Sequence, residues 1–310
     1  MDFFMSKEIR SALGAAFNCA QKIFLEAFVP NRKIRRVLKG NFAKSYLKKY
    51  VQSACRPDRP RPEFLRGCGV LKIWQYWEQG RDSAPELVKA CLKSVEKNSS
   101  GHDIVFLSGK DVENYVDIPP RIYDLKRRGV ITPAHFSDIL RSALLLRHGG
   151  TWIDSTVMLS SGIPAFVADS DLFVFSNNPS NDLDGLDMAS YFIHSSPGNP
   201  IIADTLETMY AYWRENSFLK NYFLFLHAFS MVSRASKANA LIREGVPFFS
   251  FENAQYLESI LSRPFDSALW DKLKSCSFAH KLSHKEKILS KGGNFRAEGT
   301  FYDILISKSK

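Results

Sequence analysis

At 310 residues, 45% hydrophobic and 24% charged, the chain has the balance of a soluble globular protein with a sizeable core in one or two domains. No apolar run approaches the roughly 18–20 residues that cross a bilayer, and the first thirty residues show no apolar stretch followed by a small-residue cleavage site. The net charge of +10 is unevenly placed: residues 1–66 hold 15 Lys+Arg against 5 Asp+Glu, and the remainder balances at 27 of each.

Two helices are predicted first, roughly Ser6 to Phe28 and Arg32 to Val51. Between Lys33 and Val51, Ile34, Val37, Leu38, Phe42, Tyr46, Leu47, Tyr50 and Val51 recur at steps of three and four among seven Lys and Arg residues. This is a basic amphipathic helix, suited either to an anionic membrane surface or to packing with its charges in water. No helix-turn-helix, finger or RNA-binding signature accompanies it, so nucleic acid is not the expected partner. Arg56 to Pro62 reads as a stiff, helix-breaking linker. The expected division is therefore a helical extension, 1–66, and a main domain, 67–310.

Beyond the linker, Val70 to Trp77 suits a strand, Pro85 opens a helix, and Ile104 to Leu107 is a short buried strand. Helices follow near Gly109–Tyr115 and Pro120–Arg128. Leu172–Phe175 and Met188–His194 read as strands, Pro200–Arg214 and Phe218–Ser233 as helices, and Cys276–Leu282 as a late strand or ordered loop. The alternation argues for an α/β sheet with ligands at the carboxyl ends of its strands. Asp182, Asp184 and Asp187 lie in a polar loop that lacks the spacing of a calcium site. The five cysteines, Cys19, Cys55, Cys68, Cys91 and Cys276, match no metal or redox spacing and read as free thiols of a reducing cytoplasm.

The densest chemistry lies between Thr132 and Leu159. Thr132 and Pro133 start a helix, and Gly149-Gly150 ends it. Most of that helix is apolar, yet Asp138 and Arg141 share one face. A strand from Thr151 to Leu159 would point Asp154 and Thr156 the same way. Two readings follow: a ligand site, or a buried Asp–Arg ion pair beside a strand-end Asp.

The runs Ile73–Trp77 (Ile-Trp-Gln-Tyr-Trp), Ala134–Arg141 (Ala-His-Phe-Ser-Asp-Ile-Leu-Arg) and Gly149–Val157 (Gly-Gly-Thr-Trp-Ile-Asp-Ser-Thr-Val) resemble the bacterial capsular polysaccharide synthesis proteins. These are related to glycosyltransferase family 32 and to the sugar-transferring domains of large clostridial toxins. The resemblance runs from about residue 70 to Ile306. It implies a GT-A fold, a Rossmann-like mixed sheet flanked by helices, that moves a hexose from a nucleotide diphosphate donor, such as a UDP-sugar, with retention. It implies Asp138 and Arg141 on the donor sugar, Ser137 near the nucleoside and Trp74 on the base. Asp154 takes the first acidic position of the Asp-x-Asp motif, which holds Mn²⁺ or Mg²⁺ on the diphosphate. Thr156 stands where the second carboxylate is expected and leaves the metal with fewer protein oxygens. The late segment Ala279–Lys285 implies His280 and Lys281, then Lys285, over the donor phosphates; the bland reading is a solvated basic turn. His227 would either line an acceptor pocket or sit satisfied in the core.

The expected setting is cytoplasmic, peripheral at the inner face of the cytoplasmic membrane through residues 1–66, with a lipid-linked or polysaccharide acceptor. The alternative is a haloacid-dehalogenase-like phosphohydrolase with Asp154 as nucleophile, although its general-acid Asp is replaced by Thr156. A third reading is a non-enzymatic membrane-binding module with a decayed transferase domain.

Overall fold

The computed structural model describes residues 7–67, 71–176, 186–290 and 293–307. Two helices come first, α1 (Lys7–Phe28) and α2 (Arg32–Ala54). The main body then runs β1 (Lys72–Tyr76), α3 (Glu86–Asn98), β2 (Asp103–Leu107), α4 (Pro120–Arg127), α5 (Pro133–His148), β3 (Gly150–Ile153), β4 (Val157–Leu159), α6 (Ala165–Ala168), β5 (Leu172–Ser176) and β6 (Met188–Ser195). It finishes with α7 (Pro200–Glu215), α8 (Leu224–Val232), α9 (Lys237–Glu244), α10 (Phe251–Ile260), α11 (Ser267–Cys276), β7 (Ala279–Lys281) and α12 (Glu286–Leu289).

Five strands form one sheet in the order β2-β1-β3-β6-β5. β1 is parallel to β2 and β3, while β6 is antiparallel to both β3 and β5. Helices cover its faces, so the α/β architecture is the one expected. Ile73, Ile153, Phe173 and Phe192 pack into one apolar cluster, and Trp74, Trp152, Val174 and Ile193 into another. That segregation follows from the two-residue period of a strand. Gly150 is required where β3 meets β1: at φ +94, a Cβ there would lie 2.4 Å from the Lys72 carbonyl oxygen.

Some elements differ from expectation, for visible reasons. The strand from Thr151 breaks after Ile153. The Asp154 N–H donates to the Tyr191 carbonyl at 2.8 Å, and Val157 N–H closes a turn on the Asp154 carbonyl at 2.8 Å. The chain then leaves the main sheet, and β4 pairs antiparallel with β7. The helix near Gly109–Tyr115 is a single 3₁₀ turn, Val112–Asn114, and the helix expected from Phe218 begins only at Leu224. The stretch 177–185, with Asp182 and Asp184, lies outside the described residues, as does Cys68. Asp187 pairs with Arg234 at 2.6 Å.

The boundary expected at residue 66 is not a break in packing. Leu47, Tyr50 and Val51 of α2 are buried in the same cluster as Trp74 and Phe136. Tyr46 Oη donates to Asn216 Oδ1 at 2.7 Å, and Asn216 Nδ2 donates to Tyr50 Oη at 2.8 Å. The linker is clamped as well. Arg61 donates to both oxygens of the buried Asp204 carboxylate, at 2.8 and 3.1 Å, and Arg59 donates to the same group. The stripe of α2 therefore divides: its C-terminal half is core, while Ile34 and Phe42 stay exposed.

Candidate active site

The site is built where the carboxyl ends of β1 and β3 meet α5. Thr132 caps α5, its side chain accepting from His135 N–H at 3.2 Å, and Pro133 follows at the first helical position. This fixes the helix so that Asp138 and Arg141, one turn apart, look toward the end of β3. Arg141 Nη1 lies 3.1 Å from Asp138 Oδ1, and Nη2 lies 3.2 Å from Asp154 Oδ1. Its remaining donors go to the carbonyls of Ser190 at 2.5 Å and Ser137 at 3.2 Å. The guanidinium stands 5.1 Å from the Trp152 ring. Only 4% of the Arg141 side chain is exposed, so the two carboxylates and two carbonyls around its planar fork are what make its burial tolerable.

Asp154 collects three cationic or polar donors. Trp152 Nε1 donates to Oδ1 at 2.8 Å, Arg141 to the same oxygen, and Lys281 Nζ to Oδ2 at 2.8 Å. Burial alone would raise this carboxyl. The charges of Lys281 and Arg141, with the hydrogen bonds from Lys281 and Trp152, outweigh it and hold the pKa down at about 2. Lys281 Nζ also donates to Thr156 Oγ1 at 2.6 Å. The turn 154–156 thus brings Asp154 and Thr156 to one point, as the strand reading did, but by a different backbone path.

That point was expected to hold a divalent cation. The oxygens assigned to it, Asp154 Oδ2 and Thr156 Oγ1, are both bonded to an ammonium. One carboxylate already accepting three donors, plus one hydroxyl, is a poor cage for a hard cation that wants several free oxygens. No group of three or more His, Cys, Asp or Glu side chains positioned for a metal occurs among the described residues. The residues present do not fit Mn²⁺ or Mg²⁺ in this arrangement.

The other expected site residues separate. Lys281 is in the cluster, and Ser137 borders it, half-buried, its Oγ turned back to the Pro133 carbonyl at 3.1 Å. His280 points the other way, because neighbours on β7 alternate. It is fully buried against Trp270 and within 2.9 Å of Ser160 Oγ, so it does not reach a donor from that position. Lys285 is exposed at the start of α12, and among the described residues no contact joins it to the cluster. Trp74 is enclosed in the core, its indole N–H donating to the Gly149 carbonyl at 2.9 Å. No face of it is open to a base. His227 is buried on α8.

Trp77 is the residue that the sequence reading passed over. It follows the last residue of β1, is partly exposed, and meets His284 edge-on at 5.3 Å. Ser155 Oγ donates to the carbonyl of Tyr76, the preceding residue, which ties this strand end to the Asp154 turn. The Trp77 indole N–H is buried without a hydrogen-bond partner among the described residues, and so are the Tyr191 hydroxyl and the Gln75 amide nitrogen. Orphaned buried donors are costly, and three of them gather around the ends of β1 and β3. The available signal was position: Trp77 stands just past the strand, where open α/β sheets bind ligands, and Trp74 stands in its middle. His135 was missed too. Its Nε2 accepts from Trp213 Nε1 at 3.0 Å, and its Nδ1 stands 3.6 Å from Asp138 Oδ2 without a hydrogen bond to it.

Two of the buried histidines, His280 and His194, make a pH prediction. Burial lowers His280 to about 4; burial, then the charge of His102, lowers His194 to about 4. An unfolded histidine titrates near 6.5. Between those values the unfolded chain binds protons that the folded chain refuses, so stability falls as pH drops from 6.5 to 4 and is complete above that window. The loss is roughly 3 kcal/mol for each at the acid end. Urea midpoints measured from pH 7 to 4.5 are expected to fall steadily; a flat profile contradicts this assignment.

Two carboxylates, two cations and orphaned donors thus meet around the ends of β1 and β3. The sequence model of the capsular polysaccharide synthesis protein family matches residues 24–303, and the chain belongs to that family. The match begins within α1, so α2 and the clamped linker lie inside it. Among solved structures the chain is similar to one titled PaToxG Glycosyltransferase, at 15% identity and a TM-score of 0.36, covering 80% of this chain and 99% of that one. That likeness is too distant to transfer any residue. A comparison with curated proteins returned no match.

Proposed function

We propose that this protein is a retaining glycosyltransferase of GT-A type that uses a UDP-linked hexose to extend a surface polysaccharide. The observation that carries the reading is the Asp138–Arg141–Asp154–Lys281 cluster at the ends of β1 and β3. Trp77 offers the ring for the base, and Asp138 and Arg141 offer hydrogen bonds to sugar hydroxyls. Lys281 stands where the diphosphate leaves. Breaking the sugar–phosphate bond builds negative charge on that group, and a fixed ammonium lowers the barrier as a metal would. A carboxylate held near 2 is a poor general base, which weighs against Asp154 as the base of an inverting reaction. The phosphohydrolase alternative gains nothing here: Asp154, its nucleophile, is tied by three donors, and Thr156 supplies no general acid.

Membrane association belongs to the same proposal. No helix among the described residues is long and apolar enough to cross a membrane. α1 nevertheless turns Leu13, Phe17, Phe24 and Phe28 outward, each more than half exposed. That side suits the inner face of a cytoplasmic membrane, where a lipid-linked acceptor is found.

A thermal-shift screen of nucleotide sugars tests the reading. A bound donor at 100 times its Kd adds roughly 2.7 kcal/mol to the folded state; no shift with any nucleotide sugar would sink it. Within that assay Trp77→Ala is expected to weaken nucleotide binding by about 10- to 100-fold, since base stacking contributes roughly 1–3 kcal/mol. Trp74→Phe should leave nucleotide affinity alone. The reverse pattern would return the base to Trp74.

A further inference from the structure

A cavity of about 660 Å³ lies between α1, the first half of α2 and the 219–223 loop ahead of α8. Its lining is one-sided. Lys22, Arg32, Arg35, Arg36, Lys39 and Lys220 face a single carboxylate, Glu26, among the described residues. Glu26 is engaged by Lys39 at 3.4 Å, which leaves the cavity with a large positive excess. Lys220 donates to the neutral Gln21 amide oxygen at 2.9 Å and stands over the rings of Phe17 and Tyr46. Its burial lowers the ammonium pKa. Cations gathered in a partly enclosed space repel one another and are stabilised by an anion of matching charge.

The rim is apolar on one side. α1 docks on the body through polar groups: Ser11 Oγ accepts from Ser217 N–H at 2.8 Å, and Asn18 Nδ2 donates to the Leu219 carbonyl at 3.4 Å. Phe24 and Phe28, with rings 4.9 Å apart, face outward. Leu25 of α1 is buried, but large apolar rings on its solvent side are unusual for a helix that meets only water. The inner wall is shared with the active site. Tyr222 and Phe223 line the cavity. Burial raises the Tyr222 pKa, and the charges of Asp138 and Asp154 raise it further, while Phe225, two residues beyond Phe223, lies 5.9 Å from the Arg141 guanidinium.

We infer that this cavity seats the head of a lipid diphosphate, the acceptor lipid of the transferase reaction, with its tail along the outer side of α1. A phospholipid diester brings one negative charge, whereas phosphate monoesters and diphosphates bring about two or more. Arginines in a cluster match phosphate oxygens two at a time. The glycan attached to that head then extends past Tyr222 toward Asp138 and Asp154. The inference rests on the glycosyltransferase reading for the word acceptor, but the headgroup site itself is tested without turnover.

The test is flotation of the full chain with phosphatidylcholine vesicles that contain either an isoprenyl diphosphate or phosphatidylglycerol at equal total charge. The diphosphate vesicles are expected to bind about tenfold tighter, and inorganic diphosphate should compete with them and not with the phosphatidylglycerol vesicles. Arg32→Glu with Arg35→Glu should erase the preference while thermal midpoint and UDP binding stay unchanged; should that pair misfold, Arg35→Gln and the competition arm decide. Equal binding to both vesicles, or a preference that survives the charge reversal, overturns the site and leaves α1 as a general contact with anionic membrane. Failure of UDP binding in the unaltered chain would instead count against the transferase reading, with the vesicle result standing separately.

Discussion

Asp154→Asn is expected to lower donor turnover by about 10³-fold, the scale on which a preorganised electrostatic group acts at a transition state. The substitution keeps the shape of the side chain but removes the charge that holds Lys281 and one arm of Arg141. Arg141 retains Asp138 and two backbone carbonyls, and about a fifth of the Asp154 side chain is open to water. The stability cost is therefore limited to about 2 kcal/mol, that of a charged hydrogen bond. The loss should fall on kcat, because Lys281, which Asp154 holds in place, meets the departing diphosphate rather than the base or sugar. Wild-type turnover in a folded Asp154→Asn protein would remove the carboxylate from the machinery.

Asp204→Ala is expected to lower the unfolding free energy by about 3 kcal/mol, the low end of the range for breaking a buried ion pair, and the thermal midpoint by roughly 6–12 °C. Asp204 is buried on α7, while the guanidinium side chains of Arg59 and Arg61 are 19% and 24% exposed. Once the carboxylate is gone, the arginines still reach water. Replacing both arginines by Ala strands the carboxylate instead, and should cost at least as much. Equal midpoints for wild type and Asp204→Ala would show that the linker is not clamped. The same contacts make residues 1–66 inseparable from the fold: their removal takes Leu47, Tyr50 and Val51 out of the core.

Much of this was legible in the sequence where local rules are strong. Thr132-Pro133 and Gly149-Gly150 mark the ends of α5, and the three-residue step from Asp138 to Arg141 puts both on one face. The packing of α2 into the main core was not legible, because charge composition reports what faces water and is silent on which apolar stripe meets a distant helix. α2 looks like an independent surface helix until α7 supplies Tyr212 and Asn216 beside it. Trp74 was assigned to the base by the family resemblance, whereas the end of β1 decides which ring is open. Lys281 was placed among the phosphates, but its grip on Asp154 and Thr156 spans some 125 residues of sequence. Only the pairing of β4 with β7, set by the turn after Ile153, brings them together.

The most direct test of the central claim is donor hydrolysis followed by proton NMR, with the purified protein, the UDP-hexose that gives the largest thermal shift, and EDTA. Slow release of UDP together with a free sugar whose first-formed anomer matches the donor is expected, at a rate that chelation leaves unchanged and Lys281→Ala abolishes. Release of inorganic phosphate, no release at all, or release that stops on chelation and returns with Mn²⁺ would contradict the account.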